Sequence, residues 1–136
     1  LANHRGQISF PGGKIEKGDI NPAVTALRET KEEIGLHPKY VEVIGRLEDY
    51  LVGTGYRITP VVGFINGGQE FLLNQEEVDE IFEVPLSLIM NKSLYRQEHM
   101  KINGIDRMFY VLFYERYRIW GATAAILRDL RDTISG

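Results

Sequence analysis

Glu29, Glu32 and Glu33 lie close together, directly after Arg28. Carboxylates this dense either face water or jointly hold a cation. On a helix turning about 100° per residue they spread over roughly 100° of one face. Glu29 and Glu33 are then one turn apart at i,i+4, and Glu29 and Glu32 at i,i+3, so all three can point into one space. Left uncompensated, such neighbours repel by about 0.2–0.5 kcal/mol per pair. A divalent cation turns that repulsion into affinity. Mg²⁺ and Mn²⁺ prefer carboxylate oxygens, and Mg²⁺ keeps waters that substrate phosphates can replace. Arg28 is placed to orient one carboxylate by a forked hydrogen bond. On spacing alone, a solvated acidic face is the stronger explanation of the acids, and an ordinary ion pair suits Arg28 as well.

The elements that must hold these residues are legible from local signals. Asn21-Pro22 reads as an N-cap followed by proline at the first helical position, and Gly35, with Pro38 beyond it, as the stop. The helix therefore runs from about Pro22 to Ile34, with Ala23, Leu27, Thr30 and Ile34 as its core stripe. Upstream, Gln7–Phe10 reads as a short strand that stops at Pro11-Gly12-Gly13, and Lys14–Ile20 as a polar loop. Gly12 and Gly13 let the backbone approach a ligand without side-chain obstruction. A lone glycine pair is an ordinary tight turn. A glycine turn, a loop and a helix reading R-E-x-x-E-E-x-G are together far more specific.

Further along, Val41–Leu47 reads as a strand and Asp49–Gly55 as a turn. Tyr56–Ile65 is an apolar strand in which Pro60 argues for an edge position or a bulge. Gly67-Gly68 is another turn. Glu76–Phe82 is acidic, Pro85 starts a short helix to about Met90, and Ile105–Tyr117 is one long strand or two broken ones. Gly121–Thr133 is an amphipathic helix with Ala125, Leu127 and Leu130 inward, and Trp120 is a packing residue where it begins. The order β–α–β–β–α–β–α implies an α/β or α+β sandwich.

The chain has 136 residues, 43% of them hydrophobic, and a net charge of -3. One domain spanning 1–136 is expected. The absence of cysteine excludes disulfides, thiolate metal sites and a cysteine nucleophile. No apolar run of about 18 residues occurs, so no membrane partner is expected, and the mild acidity gives no reason to expect nucleic-acid binding. No targeting pattern is visible, which favours the cytoplasm. The sequence opens at Leu1 in mid-pattern and reads as lacking an N-terminal segment.

These residues resemble the Nudix hydrolase signature, G-x5-E-x7-R-E-U-x-E-E-x-G-U with U a bulky aliphatic. Arg28-Glu29-Thr30-Lys31-Glu32-Glu33-Ile34-Gly35-Leu36 matches its second half except at Thr30. Counting from Gly13, Asp19 holds the position of the signature's first Glu, and one extra residue separates it from Arg28. That departure, with Gly6…Phe10-Pro11-Gly12-Gly13 just upstream, is similar to the coenzyme A pyrophosphatase branch. The likeness extends through Val43-Ile44-Gly45, Thr54-Gly55-Tyr56, Thr59–Gly63, Glu77…Leu86 and Ile119–Ala124. Where the branch usually has an Arg, this sequence has Ala2.

The resemblance implies a Nudix fold, an α/β/α sandwich with a mixed central β-sheet. It implies Mg²⁺- or Mn²⁺-dependent hydrolysis of a small nucleotide-type substrate, with coenzyme A yielding 3′,5′-ADP and 4′-phosphopantetheine. Glu29, Glu32 and Glu33 would be metal ligands, with a backbone carbonyl of Gly12 or Gly13. Arg28 would orient Glu29, and Glu29 would be the base if it is not on a metal. Glu77 and Glu80 are the better candidates for general base, with His4 and His99 behind them. Asp19 would brace its loop. Arg5, Lys14 and Arg57 are candidate phosphate binders, and Phe10 and Tyr56 candidate partners for adenine or the pantetheine arm. Other nucleoside diphosphate derivatives (ADP-ribose, NADH), a dNTP, or a non-catalytic binding module remain open alternatives. Met108–Tyr117 suits either the core or a homodimer interface.

Overall fold

The structure is a computed structural model that describes every residue except Arg5, Gly53 and Thr54. It contains two compact units, Leu1–Phe82 and Glu83–Gly136.

In the first unit, β1 (Ala2–His4) is followed by β2 (Gln7–Ser9), then α1 (Pro22–Ile34), β3 (Val41–Arg46), β4 (Tyr50–Leu51), β5 (Arg57–Ile58), β6 (Val61–Ile65) and β7 (Glu80–Ile81). Helix α1 keeps the bounds its caps dictate. The Asn21 side chain accepts from the Val24 N–H, Pro22 opens the helix, and Gly35 closes it at φ 72°, donating its N–H to the Lys31 carbonyl. Ile34 is buried, while Ala23, Leu27 and Thr30 are only half-buried. The opposite face is covered too, since Thr25 and Glu33 are buried. The expected strand at Tyr56–Ile65 is broken at Thr59-Pro60 into β5 and β6, because proline cannot donate to a ladder. β6 pairs with β3 with a register shift between Val43 and Gly45.

In the second unit, α2 (Leu86–Ile89) precedes β8 (Arg96–Ile102), β9 (Ile105–Tyr114), β10 (Tyr117–Trp120) and α3 (Gly121–Ser135). Asn103 and Gly104 both have positive φ, 51° and 77°, and close the β8–β9 hairpin as a two-residue turn. A second turn at Glu115, φ 52°, divides the expected Ile105–Tyr117 segment into β9 and β10. Within that segment Val111 and Leu112 are fully buried, whereas Met108 and Phe113 are exposed. Trp120 stacks edge-on against Phe109 at 5.5 Å between centroids. Helix α3 packs on β9 and β10. Its buried residues are Thr123, Ala124, Ile126, Leu127 and Arg131. Ala125 and Leu130, expected inward, are half-buried. The inward stripe therefore follows the i,i+4 row Thr123–Leu127–Arg131. The buried Arg131 guanidinium is compensated by Asp132, with Nη2 2.7 Å from Oδ1, and lies over the Tyr95 ring.

The expected α/β class stands. The pairing differs from the expected mixed central sheet. Among the described residues every pairing is antiparallel, in the groupings β2-β1-β7, β10-β9-β8, β3-β6 and β4-β5. Many of these strands are only two to five residues long, and Pro60 and the Gly45 shift interrupt the ladders that would widen them. Among the described residues no helix is long and apolar enough to cross a membrane.

Candidate active site

The site is built around the C-terminal half of α1, which is held from two sides. On one side lies the loop between Gly12 and Asp19. The Asp19 carboxylate is only 6% exposed. It accepts from the Glu16 N–H at 2.9 Å, the Thr25 hydroxyl at 3.0 Å, and Arg28 Nη2 and Nε at 3.0 and 3.3 Å. Arg28 Nη2 also donates to the Lys14 carbonyl, and Nη1 to Glu29 Oε1 at 2.9 Å. Arg28 therefore joins the loop to the helix and bonds to the Glu29 carboxylate. Asp19 braces the loop in the manner expected, and its grip on Arg28 is what makes the brace reach Glu29.

The glycine turn completes this side. The Gly12 N–H donates to Glu33 Oε2 at 3.1 Å. A Cβ on Gly13 would lie 2.5 Å from the Glu29 carboxylate, which would have to move to admit it.

On the other side, the segment from Leu72 to Asp79 hangs from the last turn of α1. The Leu72 and Asn74 N–H groups donate to the Ile34 and Glu33 carbonyls at 2.9 and 2.8 Å, satisfying acceptors that a helix end leaves orphaned. The Glu77 and Val78 N–H groups then close a turn onto the Asn74 carbonyl, and the Asp79 N–H bonds to the Asn3 carbonyl in β1. His4 Nδ1 lies 3.1 Å from the Glu77 carbonyl. Val78 is fully buried beneath the turn.

Between these two sides is an open pocket of about 410 Å³, lined by His4, Gly12, Glu29, Glu33, Glu76 and Glu77. Among the described residues its lining includes four glutamates and no Lys or Arg. Glu33 is 6% exposed. Burial pushes its carboxyl above the ordinary range. The Gly12 N–H and His4 oppose that shift, and the Glu29 and Glu77 charges add to it.

Not every expected residue joins this site. Glu32 is 56% exposed and turns toward Arg28, with 3.6 Å between Oε1 and Nη1. Of the three carboxylates grouped by helical spacing, Glu29 and Glu33 are on the pocket lining and Glu32 is not. Among the described residues no three His, Asp or Glu side chains stand at mutual metal-ligand spacing. Of the two candidate bases in the acidic segment, Glu77 reaches the pocket. Glu80 instead accepts from Asn3 Nδ2 at 3.2 Å in the sheet. His99 pairs with Asp106 in the second unit, and His4 lies on the pocket. Phe10, Lys14, Tyr56 and Arg57 are not among the pocket lining. Lys14 Nζ lies 5.7 Å from the Tyr56 ring centroid, and Arg57 faces Asp49 at 3.8 Å. Arg5 lies outside the described residues. Glu76 was overlooked, although its place beside Glu77 in the acidic run was a usable signal.

The donor set fits a hydrated divalent cation. It offers carboxylate oxygens and no thiolate, it concentrates negative charge, and an ion such as Mg²⁺ retains waters that make up for a small number of protein ligands. Glu29 and Glu33 would hold it, with Glu76 and Glu77 facing the same space.

A family model described as the NUDIX domain matches residues 1–102. The chain is 38% identical over 135 residues to a protein of Yersinia pestis (strain Pestoides F) that carries the name uncharacterized Nudix hydrolase NudL. The identity is the same to its namesake in Yersinia pseudotuberculosis serotype O:1b (strain IP 31758). Each match covers 99% of this chain and 68% of the relative. The chain belongs to the Nudix hydrolase family, and it is a pyrophosphohydrolase.

The Asp19–Arg28 clamp makes a prediction about acid stability. Arg28, together with the Glu16 N–H, holds the Asp19 carboxyl at about 2, against an ordinary 3.8. The unfolded chain takes up this proton near the ordinary value and the folded chain only near the lowered one. The clamp's stabilisation is therefore complete above about pH 4 and disappears as pH falls toward about 2. Asp19→Asn should melt at a lower temperature than the unaltered chain at neutral pH, with the gap narrowing through that window. Circular dichroism melts across the range would read it. A gap of constant size would show that the clamp is not ionic.

Proposed function

We propose that this chain hydrolyses the pyrophosphate bond of coenzyme A or its derivatives with Mg²⁺ or Mn²⁺, giving 3′,5′-ADP and 4′-phosphopantetheine. The observation that carries the reading is the packed unit of Gly13, Arg28 and Glu29 beside Glu33 on a carboxylate-rich pocket. The substrate assignment is supported by the Phe10-Pro11-Gly12-Gly13 run and by Asp19, whose extra residue of spacing still lets both its oxygens grip Arg28.

When bound, a divalent cation neutralises phosphate oxygens and acidifies a water. The protein's own residues do the positioning. Arg28 keeps the Glu29 carboxylate in one orientation, and the Gly12 N–H does the same for Glu33. Glu77, in a turn pinned at its carbonyl and its N–H, is the candidate to take the proton of the attacking water, with Glu76 beside it. The carboxylates repel a bare phosphoanhydride, so the chain without metal should be inactive.

The reading is tested by product analysis with coenzyme A, NADH and ADP-ribose side by side, with and without Mg²⁺ or Mn²⁺. Release of 3′,5′-ADP from coenzyme A as the fastest reaction is expected. Faster cleavage of NADH or ADP-ribose would move the substrate to another nucleoside diphosphate derivative. Binding without any turnover would point to a non-catalytic module.

A further inference from the structure

His4 lies on the pocket, yet neither the signature helix nor the glycine turn contains it. Its contact is specific. Nδ1 lies 3.1 Å from the backbone carbonyl of Glu77, and a carbonyl can only accept. Nδ1 therefore carries the proton and donates it, which fixes the ring's tautomer and leaves Nε2 as the acceptor in the neutral ring.

The turn that receives this bond is held at its two ends and by bonds to Asn74 within it. Its start is tied to α1 through the Asn74 N–H and the Glu33 carbonyl, and its end to β1 through the Asp79 N–H and the Asn3 carbonyl. Between these anchors the Glu77 and Val78 N–H groups bond to the Asn74 carbonyl and the Glu76 N–H to Asn74 Oδ1, so these internal bonds all run to Asn74. The bond from His4 crosses from β1 to the Glu77 carbonyl. β1 itself is held firmly, paired to β2 on one side and β7 on the other.

From this geometry we infer that His4 is a positioning residue. Its Nδ1–H locks the Glu76–Glu77 turn so that both carboxylates face Glu29 and Glu33 across the pocket. The inference rests on the proposed hydrolase reading of that pocket. Outer residues that orient functional groups typically contribute about ten- to a hundredfold.

The experiment compares His4→Ala, His4→Asn and His4→Gln in the full chain. Asparagine places an N–H donor near the position of Nδ1, and glutamine places its amide near Nε2. Two readouts are needed: backbone hydrogen exchange of residues 74–79 in the metal-free protein, and kcat and KM with Mg²⁺ and the substrate the panel identifies. His4→Ala should exchange faster across 74–79 and lose about ten- to a hundredfold in kcat with KM little changed. His4→Asn should restore both, and His4→Gln neither. Unaltered exchange in His4→Ala, with melting showing a folded protein, overturns the inference. So does His4→Asn that regains protection but stays as slow as His4→Ala, since the ring would then act through Nε2. Failure of the hydrolase reading would show differently, as no turnover by the unaltered chain. The exchange readout still decides His4's role in that case.

Discussion

Glu33→Gln should lower metal-dependent turnover about a thousandfold and, in the same protein, raise the melting temperature of the metal-free chain. The two effects have one origin. Glu33 is buried, and its carboxyl is pushed upward by that burial and by the charges of Glu29 and Glu77. A carboxyl whose folded value is raised favours the folded state at low pH and loses that contribution as pH rises through the raised value. At neutral pH the ionised Glu33 therefore opposes folding. Glutamine keeps an oxygen to accept from the Gly12 N–H while removing the charge. On the proposed reading Glu33 holds the cation, and loss of such a carboxylate removes several kcal/mol of transition-state stabilisation, of which about 4 kcal/mol corresponds to a thousandfold. Melting curves without metal, at neutral and acid pH, together with turnover under saturating Mg²⁺ would decide it. The thermal gain should fade at acid pH, where Glu33 is already protonated. A lower melting temperature at neutral pH, or unchanged turnover, would contradict the account.

The second large effect is expected at Gly13, with Gly12 as its control. The added methyl of Gly13→Ala would meet the Glu29 carboxylate at 2.5 Å, and Glu29 cannot swing aside without breaking its bond to Arg28. Overpacking of this sort costs about 1–3 kcal/mol. The displaced carboxylate should add a loss of about a hundredfold in turnover, as misplacement near a reacting centre typically does. A methyl on Gly12 meets nothing within 4 Å. Gly12→Ala should therefore stay close to the unaltered chain in stability. Paired denaturant melts and rate measurements separate the two. Equal effects at both positions would mean that backbone flexibility, not the contact with Glu29, is the reason for glycine here.

What the sequence made legible depended on how local the signal was. Asn21, Pro22 and Gly35 act within a turn of the residues they cap, so the bounds of α1 were readable in full. The choice among Glu29, Glu32 and Glu33 was not. Helical spacing brings all three to one side, but the Gly12–Gly13 turn, which reaches Glu29 and Glu33, belongs to a distant part of the chain. Glu77 and Glu80 are equally plausible by composition. They are separated by a strand pairing, Asn3 with Glu80, that joins distant parts of the chain. The β8 strand went unread because Arg96–Ile102 has no clean alternation of apolar and polar residues. Asn103-Gly104, flanked by Ile102 and Ile105, is nevertheless the strongest short-range hairpin signal a sequence carries. A reading that began from that dipeptide would have recovered both β8 and β9.

The pairing of β1 with β7 also has an entropic consequence. Contacts in the β8–β9–β10 meander, from Ile102 with Ile105 out to Arg96 with Val111, join nearby parts of the chain, and such local contacts cost little loop-closure entropy. The pocket depends instead on contacts such as that between His4 and Glu77, 73 residues apart, whose formation must first overcome the entropy of closing a long loop. Bringing the acids of the pocket together therefore requires closing that long loop, by docking the acidic turn onto the first strand.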